Sequence, residues 1–234
     1  LLSEVDINTF NNQPTAFNED YNTISHNALP RKALNFAAPT ADRSSTSDES
    51  SPRVGAAFTP VCPLIDCTFD DNTLCNYVTS STTHSPAING SLKDWRITNK
   101  AVLNSLTGIP YDLSKNGYYI YAGGTTVSYL DTYILSTKLP FELKEPSRLD
   151  FFVYQAGVKG RLQVCINTIN ECALTIKGST IDVKARRWKN YHVPLTSSAH
   201  VVHFVVDGLL DNYAIGLDQI QLLNKYGMAA QPCK

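Results

Sequence analysis

From Phe58 onward, apolar and polar positions fall into short runs of strand length separated by turn residues. Across Arg148–Gln155, Leu149, Phe151 and Val153 lie on one face and Phe152 and Tyr154 on the other, the period of two expected of a strand. Gly117–Ala122 is rich in Tyr and Ile, and Thr125–Thr137 mixes β-branched with aromatic residues. Arg161–Asn167 and Cys172–Lys177 flank a short connection and predict a hairpin. Trp188–Val193, His200–Asp207 and Tyr213–Leu223 complete the series. Pro110, Gly123-Gly124, Pro140, Pro146, Gly157, Gly160, Gly178 and Gly208 punctuate it. No window offers a well-capped helix. This many strands in about 175 residues predict an all-β sandwich or barrel. Because several strands are apolar on both faces, two tightly packed sheets are expected, with part of the outer surface covered as well.

Residues 1–57 break this pattern. They are rich in Asn, Ser, Thr, Pro and Ala, and between Thr40 and Ser51 seven of twelve residues are Ser or Thr. No apolar period is sustained, so the stretch buries too little to offset the entropy of ordering it. It is read as a flexible or partner-ordered N-terminal arm, and residues 58–234 as one β-sandwich domain. Arg31-Lys32 is a dibasic pair, read as two solvated charges rather than a processing site.

Charge sharpens the division. The chain has a formal net charge of −1. The arm holds four basic residues against seven acidic ones, leaving the domain slightly positive. A total near zero argues against a nucleic-acid partner. No run of about 18 apolar residues is present, so no transmembrane helix is encoded. The 6 cysteines form no C-x-x-C pair. The intervals from Cys62 to Cys67, Cys67 to Cys75 and Cys165 to Cys172 are short, which suits disulfides closing local loops or bridging a hairpin and predicts an extracellular, oxidising setting. The single methionine is Met228, and the absent initiator fits a removed signal peptide.

Catalytic signatures are missing: there is no H-E-x-x-H, G-x-S-x-G, P-loop or G-x-G-x-x-G. His200 and His203 are three apart on an expected strand and therefore on opposite faces, a poor arrangement for a shared zinc ion. Lys184–Lys189 reads Lys-Ala-Arg-Arg-Trp-Lys, a composition able to contact sulfated glycans or acidic lipids. The preferred reading is an ordinary strand with Trp188 inward and the cations reaching outward. Asn89-Gly90-Ser91 is an N-glycosylation triplet on an expected turn.

Cys67-Thr68-Phe69-Asp70, followed by Leu74-Cys75-Asn76-Tyr77, resembles the opening of a MAM domain, whose pattern is roughly C-x-F-E and then L-C-x-W. Asp94-Trp95-Arg96 resembles its W-x-R, and Asp112 to Tyr118, with Gly117-Tyr118, its D-x-T…G-H-Y. Ile134-Leu135-Ser136 resembles A-x-L-x-S-P, and Leu149–Tyr154 the L-x-F-W-Y strand. Arg186-Arg187-Trp188 and the following strand resemble W-x-x-x-x-V-x-L, and Ala214–Ile220 resembles I-A-L-D-D-I. Pro232-Cys233 fits the closing cysteine, so the likeness runs from about residue 62 to 233.

The resemblance implies a jelly-roll-like sandwich of two antiparallel sheets, secretion, and a role in adhesion or assembly rather than catalysis. Family members carry a cysteine just before the L-x-F-W-Y strand that pairs with the closing cysteine; here Ser147-Arg148 stands there. The pairing implied is therefore Cys62–Cys233, with Cys67–Cys75 as the family's first bridge and Cys165–Cys172 as an extra one. Jelly-roll relatives often hold a structural Ca²⁺, which needs six to eight oxygen ligands. Asp70, Asp112 and Asp218 stand at the matching motif positions, while Gln219 replaces the family's second aspartate. Read without the resemblance, the three are surface or capping aspartates. The leading expectation is a secreted, non-catalytic interaction module of the extracellular matrix or cell surface, its arm docking onto a neighbouring subunit. The alternative is a glycan-binding, lectin-like module, for which the 12 tyrosines are suggestive.

Overall fold

The computed structural model describes residues 61–80, 91–178, 182–184 and 186–229. The arm, Asn89 and Cys233 lie outside the described residues. The described residues belong to one unit, Gly55–Lys234. The described residues open with a single helical turn, α1 (Cys62–Ile65), with Pro63 near its N-terminus. Among the described residues eleven strands follow: β1 (Tyr77–Thr79), β2 (Leu92–Lys93), β3 (Arg96–Thr98), β4 (Tyr119–Gly124), β5 (Thr132–Thr137), β6 (Ser147–Gln155), β7 (Arg161–Ile166), β8 (Cys172–Lys177), β9 (Trp188–Leu195), β10 (Val202–Asp207) and β11 (Tyr213–Asn224).

They form two sheets. One runs β1-β5-β10-β7-β8, with β2 joined to β5; the other runs β3-β4-β11-β6-β9. Every pairing is antiparallel except that of β2 with β5. This is the two-sheet sandwich that the alternating pattern predicts. Inward positions interdigitate between the sheets: Leu149, Phe151 and Val153 of β6 and Ile215 and Leu217 of β11 face Leu162 and Val164 of β7 and Phe204 and Val206 of β10. Phe151 sits edge-on to Phe204 at 5.2 Å between ring centroids and stacks on Tyr191 at 6.4 Å. Fully burying side chains of this size stabilises the fold by about 1.5–3 kcal/mol each.

The outer faces carry two smaller cores. Tyr119, Tyr154 and Ala214 alternate with the inward set and point away from the other sheet, where Ile109 covers them. Trp188 joins this outer group, edge-on to Tyr119 and Tyr154 at 5.7 and 5.5 Å. Its position corrects the expectation of an inward Trp188. The strand begins at Trp188, and Trp188 shares a face with Asn190 and His192, opposite Tyr191 and Val193. Its indole N–H donates to the Tyr111 carbonyl at 2.9 Å, tying down the loop before β4. The third core joins Ile134, Cys165 and Val205 outside the six-stranded sheet.

Two further differences concern length. Of Thr125–Thr137 only Thr132–Thr137 is strand, because Ser128 and Asp131 form a turn in which the Asp131 carboxylate accepts the Ser128 N–H at 2.9 Å. His200 precedes β10, and only His203 is on the strand. Burial lowers the pKa of His203, whose Nδ1 lies 2.7 Å from the Ser136 hydroxyl.

Candidate functional site

Asp70, Asp112 and Asp218 are brought together around the loop between Ile109 and β4. Each reaches the loop through its backbone. Asp218 Oδ2 accepts the Leu113 N–H at 3.0 Å, Asp70 Oδ1 accepts the Tyr118 N–H at 3.1 Å, and Asp112 Oδ2 accepts the Ser114 N–H at 2.8 Å and its hydroxyl.

Local structure explains each placement. Cys67 bonds Cys75, closing the turn that carries Asp70. Within that turn Phe69 and Cys75 adopt positive φ values of 63° and 49°. Asp218 stands at a bulge: the register between β11 and β6 shifts between Asp218 and Gln221, and Gln219 has φ 45°. Past the bulge, β11 pairs with the chain entry instead of β4. Cys67 and Ile220 exchange backbone hydrogen bonds of 2.9 and 2.8 Å, and Asp66 Oδ1 accepts the Leu222 N–H at 2.7 Å. The bulge thus sets Asp218 under the loop while the strand continues.

Gly117 lies tight against the Asp70 carboxylate. A Cβ there would lie 1.9 Å from Asp70 Oδ1 and 3.3 Å from Asp112 Oδ2. A side chain at this position would push the Asp70 carboxylate aside.

The electrostatics are uneven. Asp218 is 2% exposed. Burial, reinforced by the charges of Asp112 and Asp70 and only partly offset by the N–H groups of Leu113 and Gln219, pushes its carboxyl up to about 7. Burial also works against the Asp112 carboxylate, but the Ser114 hydroxyl and the N–H groups of Gly117 and Ser114 outweigh it, and its pKa falls below the ordinary 3.8. Among the described residues no lysine or arginine pairs with any of the three, whereas Arg148 pairs with Asp150 and Arg161 with Asp207.

Carboxylates are the oxygen ligands that a divalent cation takes, and among the described residues no ion pair neutralises these three. The carboxylates alone do not complete a cation site. Among the described residues no three acidic, His or Cys side chains stand close enough together to hold an ion. Backbone carbonyls would have to supply further ligands.

The remaining sequence-predicted residues are placed as follows. Cys165 bonds Cys172 across β7 and β8. Cys62 is disulfide-bonded and buried, and its expected partner Cys233 lies outside the described residues, as does Asn89. Of the basic stretch, Arg186 reaches the Ser105 carbonyl at 3.1 Å and Lys189 turns toward the gap between the sheets. The loop donors Leu113, Ser114 and Tyr118 escape a reading by residue type, because what they contribute is backbone. Gly117-Tyr118 is the signal that could have located them.

The model of the MAM domain, meprin/A5/mu, matches residues 67–234. The chain belongs to the MAM domain family. Among curated proteins none matches it. The K1 cleaved adhesin domain of Lys-gingipain from Porphyromonas gingivalis W83 is similar in structure, with TM-score 0.48, 14% identity, and coverage of 68% of this chain and 97% of that one. The β-1,3-glucan binding CBM6 from Bacillus halodurans aligns with TM-score 0.34 and 10% identity, over 63% of this chain and 94% of that one. Among the described residues no helix is long and apolar enough to cross a membrane.

Proposed function

We propose that this chain is a secreted, non-catalytic interaction and assembly module of the extracellular matrix or cell surface. Membership of the MAM family, over most of the chain, is the observation that carries the reading. The fold offers the means. β8 and β9 end their sheets, and among the described residues no strand pairs with their outer sides. β9, 8 residues long, presents backbone donors and acceptors to an added strand. The arm, with its acidic excess, docks onto the slightly basic domain of a neighbouring copy.

In the same reading, a Ca²⁺ at the loop would draw on Asp70, Asp112 and Asp218, which would have to close around it together with backbone carbonyls, and it would supply positive charge that favours ionised Asp218. The three carboxylates orient the loop through its N–H groups.

Cross-linking of a mixture of isotopically light and heavy chains tests the docking. Light-to-heavy links from Lys32 of the arm to Lys177 or Lys189 support it. Arm links confined to one isotopic form, or absent, count against it.

A further inference from the structure

An open groove of about 530 Å³ lies at one end of the six-stranded sheet, on its outer face. Its floor is a cross-strand row. Arg161 on β7 stands opposite Asp207 on β10 and opposite Lys177 on β8. All three face outward, because their neighbours Leu162, Val206 and Ile176 face the core. Arg161 grips Asp207 side-on, with Nε–Oδ1 2.6 Å and Nη2–Oδ2 2.9 Å. This arrangement leaves Nη1 and the outward lone pairs of the carboxylate free to donate and accept.

The walls are turns. Tyr129 and Leu130, from the β4–β5 connection, are 66% and 61% exposed, and Val158, from the β6–β7 connection, is 42% exposed. These three exposed apolar side chains converge on one groove, where scattered ones would need no explanation. Gly208, at φ +64°, brings the backbone beneath the Tyr129 ring; a Cβ there would lie 3.6 Å from Cε2. From below, the buried Gln155 amide donates to the Gly160 carbonyl at 2.9 Å and fixes the second turn. Its Oε1 has no hydrogen-bond partner, and Gln155 lines a 20 Å³ cavity that shares Lys177 and Gly178 with the groove.

The groove therefore combines an exposed flat ring, a fixed guanidinium–carboxylate fork, and more positive than negative charge, with Lys159, Arg161 and Lys177 against Asp207. We propose that this groove is a binding site for an anionic saccharide. The C–H face of a sugar ring stacks on Tyr129, and vicinal hydroxyls exchange hydrogen bonds with the Arg161–Asp207 fork. Sulfate or uronate groups pair with Lys159 and Lys177. An uncharged sugar leaves both ammonium groups unmatched, and an acidic peptide makes no use of the flat ring beside the fork. The site is separate from the aspartate loop, and the proposal does not depend on the docking of the arm.

Calorimetry on the full chain at low salt tests it, using a heparin hexasaccharide for sulfate and a hyaluronan hexasaccharide for uronate. Binding of either supports the site if Tyr129→Ala and Lys177→Glu each weaken it at least tenfold with unchanged melting temperature. Arg187→Glu, in the basic stretch before β9, is expected to change it less than twofold. The proposal is overturned by binding of neither probe, or by loss in Arg187→Glu without loss in Lys177→Glu. Equal affinity for a hexaglutamate peptide, which would assign the groove to acidic peptides, also overturns it.

Discussion

The Asp218 carboxylate accepts the Leu113 backbone N–H at 3.0 Å, joining the last strand to a loop 105 residues earlier in the chain. The bond holds a buried acid whose pKa stands near 7, against an ordinary 3.8. Between those values the folded chain binds more protons than the unfolded one. The stabilisation from this group is therefore complete below pH about 3.8 and is lost as pH rises through about 7. Asp218→Asn removes the titration while keeping an acceptor for Leu113. Urea unfolding at pH 5 and pH 8 should show the variant gaining stability relative to the parent as pH rises. A difference between the two proteins that stays flat across this window contradicts the assignment.

Calcium should act against the same penalty. If Asp70, Asp112 and Asp218 hold the ion, Ca²⁺ raises the melting temperature more at pH 7.5 than at pH 5, where protons compete for Asp218. Asp70→Asn and Asp218→Asn should each shrink the rise. Identical melting curves in Ca²⁺ and in chelator would remove the metal from the account.

Between the sheets, Phe151 is the most demanding position. It is fully buried, and it contacts both Phe204 and Tyr191. Phe151→Ala should cost about 3–5 kcal/mol in denaturant unfolding, since the surrounding rings cannot close the space. A loss under about 1 kcal/mol would mean that the sheets repack there.

On the outer face, Trp188 secures a loop rather than the core. Val102 and Ile109 exchange backbone hydrogen bonds of 2.8 and 2.9 Å beneath it, and its indole N–H holds Tyr111. Trp188→Phe keeps much of the ring but removes that donor. Hydrogen exchange at Val102 and Ile109 should accelerate while the Phe204 amide in β10 stays protected. Uniform acceleration would show that the indole supports the whole domain.

Most of the fold was legible because long strands repeat their pattern. Arg148–Gln155 alternated over enough residues to show that Leu149, Phe151 and Val153 share a face, and the structure shows that this face is the inward one. β1, β2 and β3 were not read, because two or three residues cannot establish a period. Trp188 was assigned to the wrong face although the strand was read as starting there, because alternation shows which residues share a face and not which face turns inward. The three aspartates were legible as motif positions, but their convergence depends on a bulge at Asp218 and a disulfide at Cys67, which no periodicity encodes. The Arg161–Asp207 fork was invisible for a simpler reason. Its members lie 46 residues apart, and only the register of β7 with β10 brings them together.

The central claim, an assembly module whose arm docks onto a neighbour, is tested most directly by light scattering on the full chain and on residues 58–234 at matched concentrations. The account predicts an assembly of two or more chains for the full protein and a monomer for the shortened one. The same assembly size with and without residues 1–57, or a monomeric full chain, would contradict it.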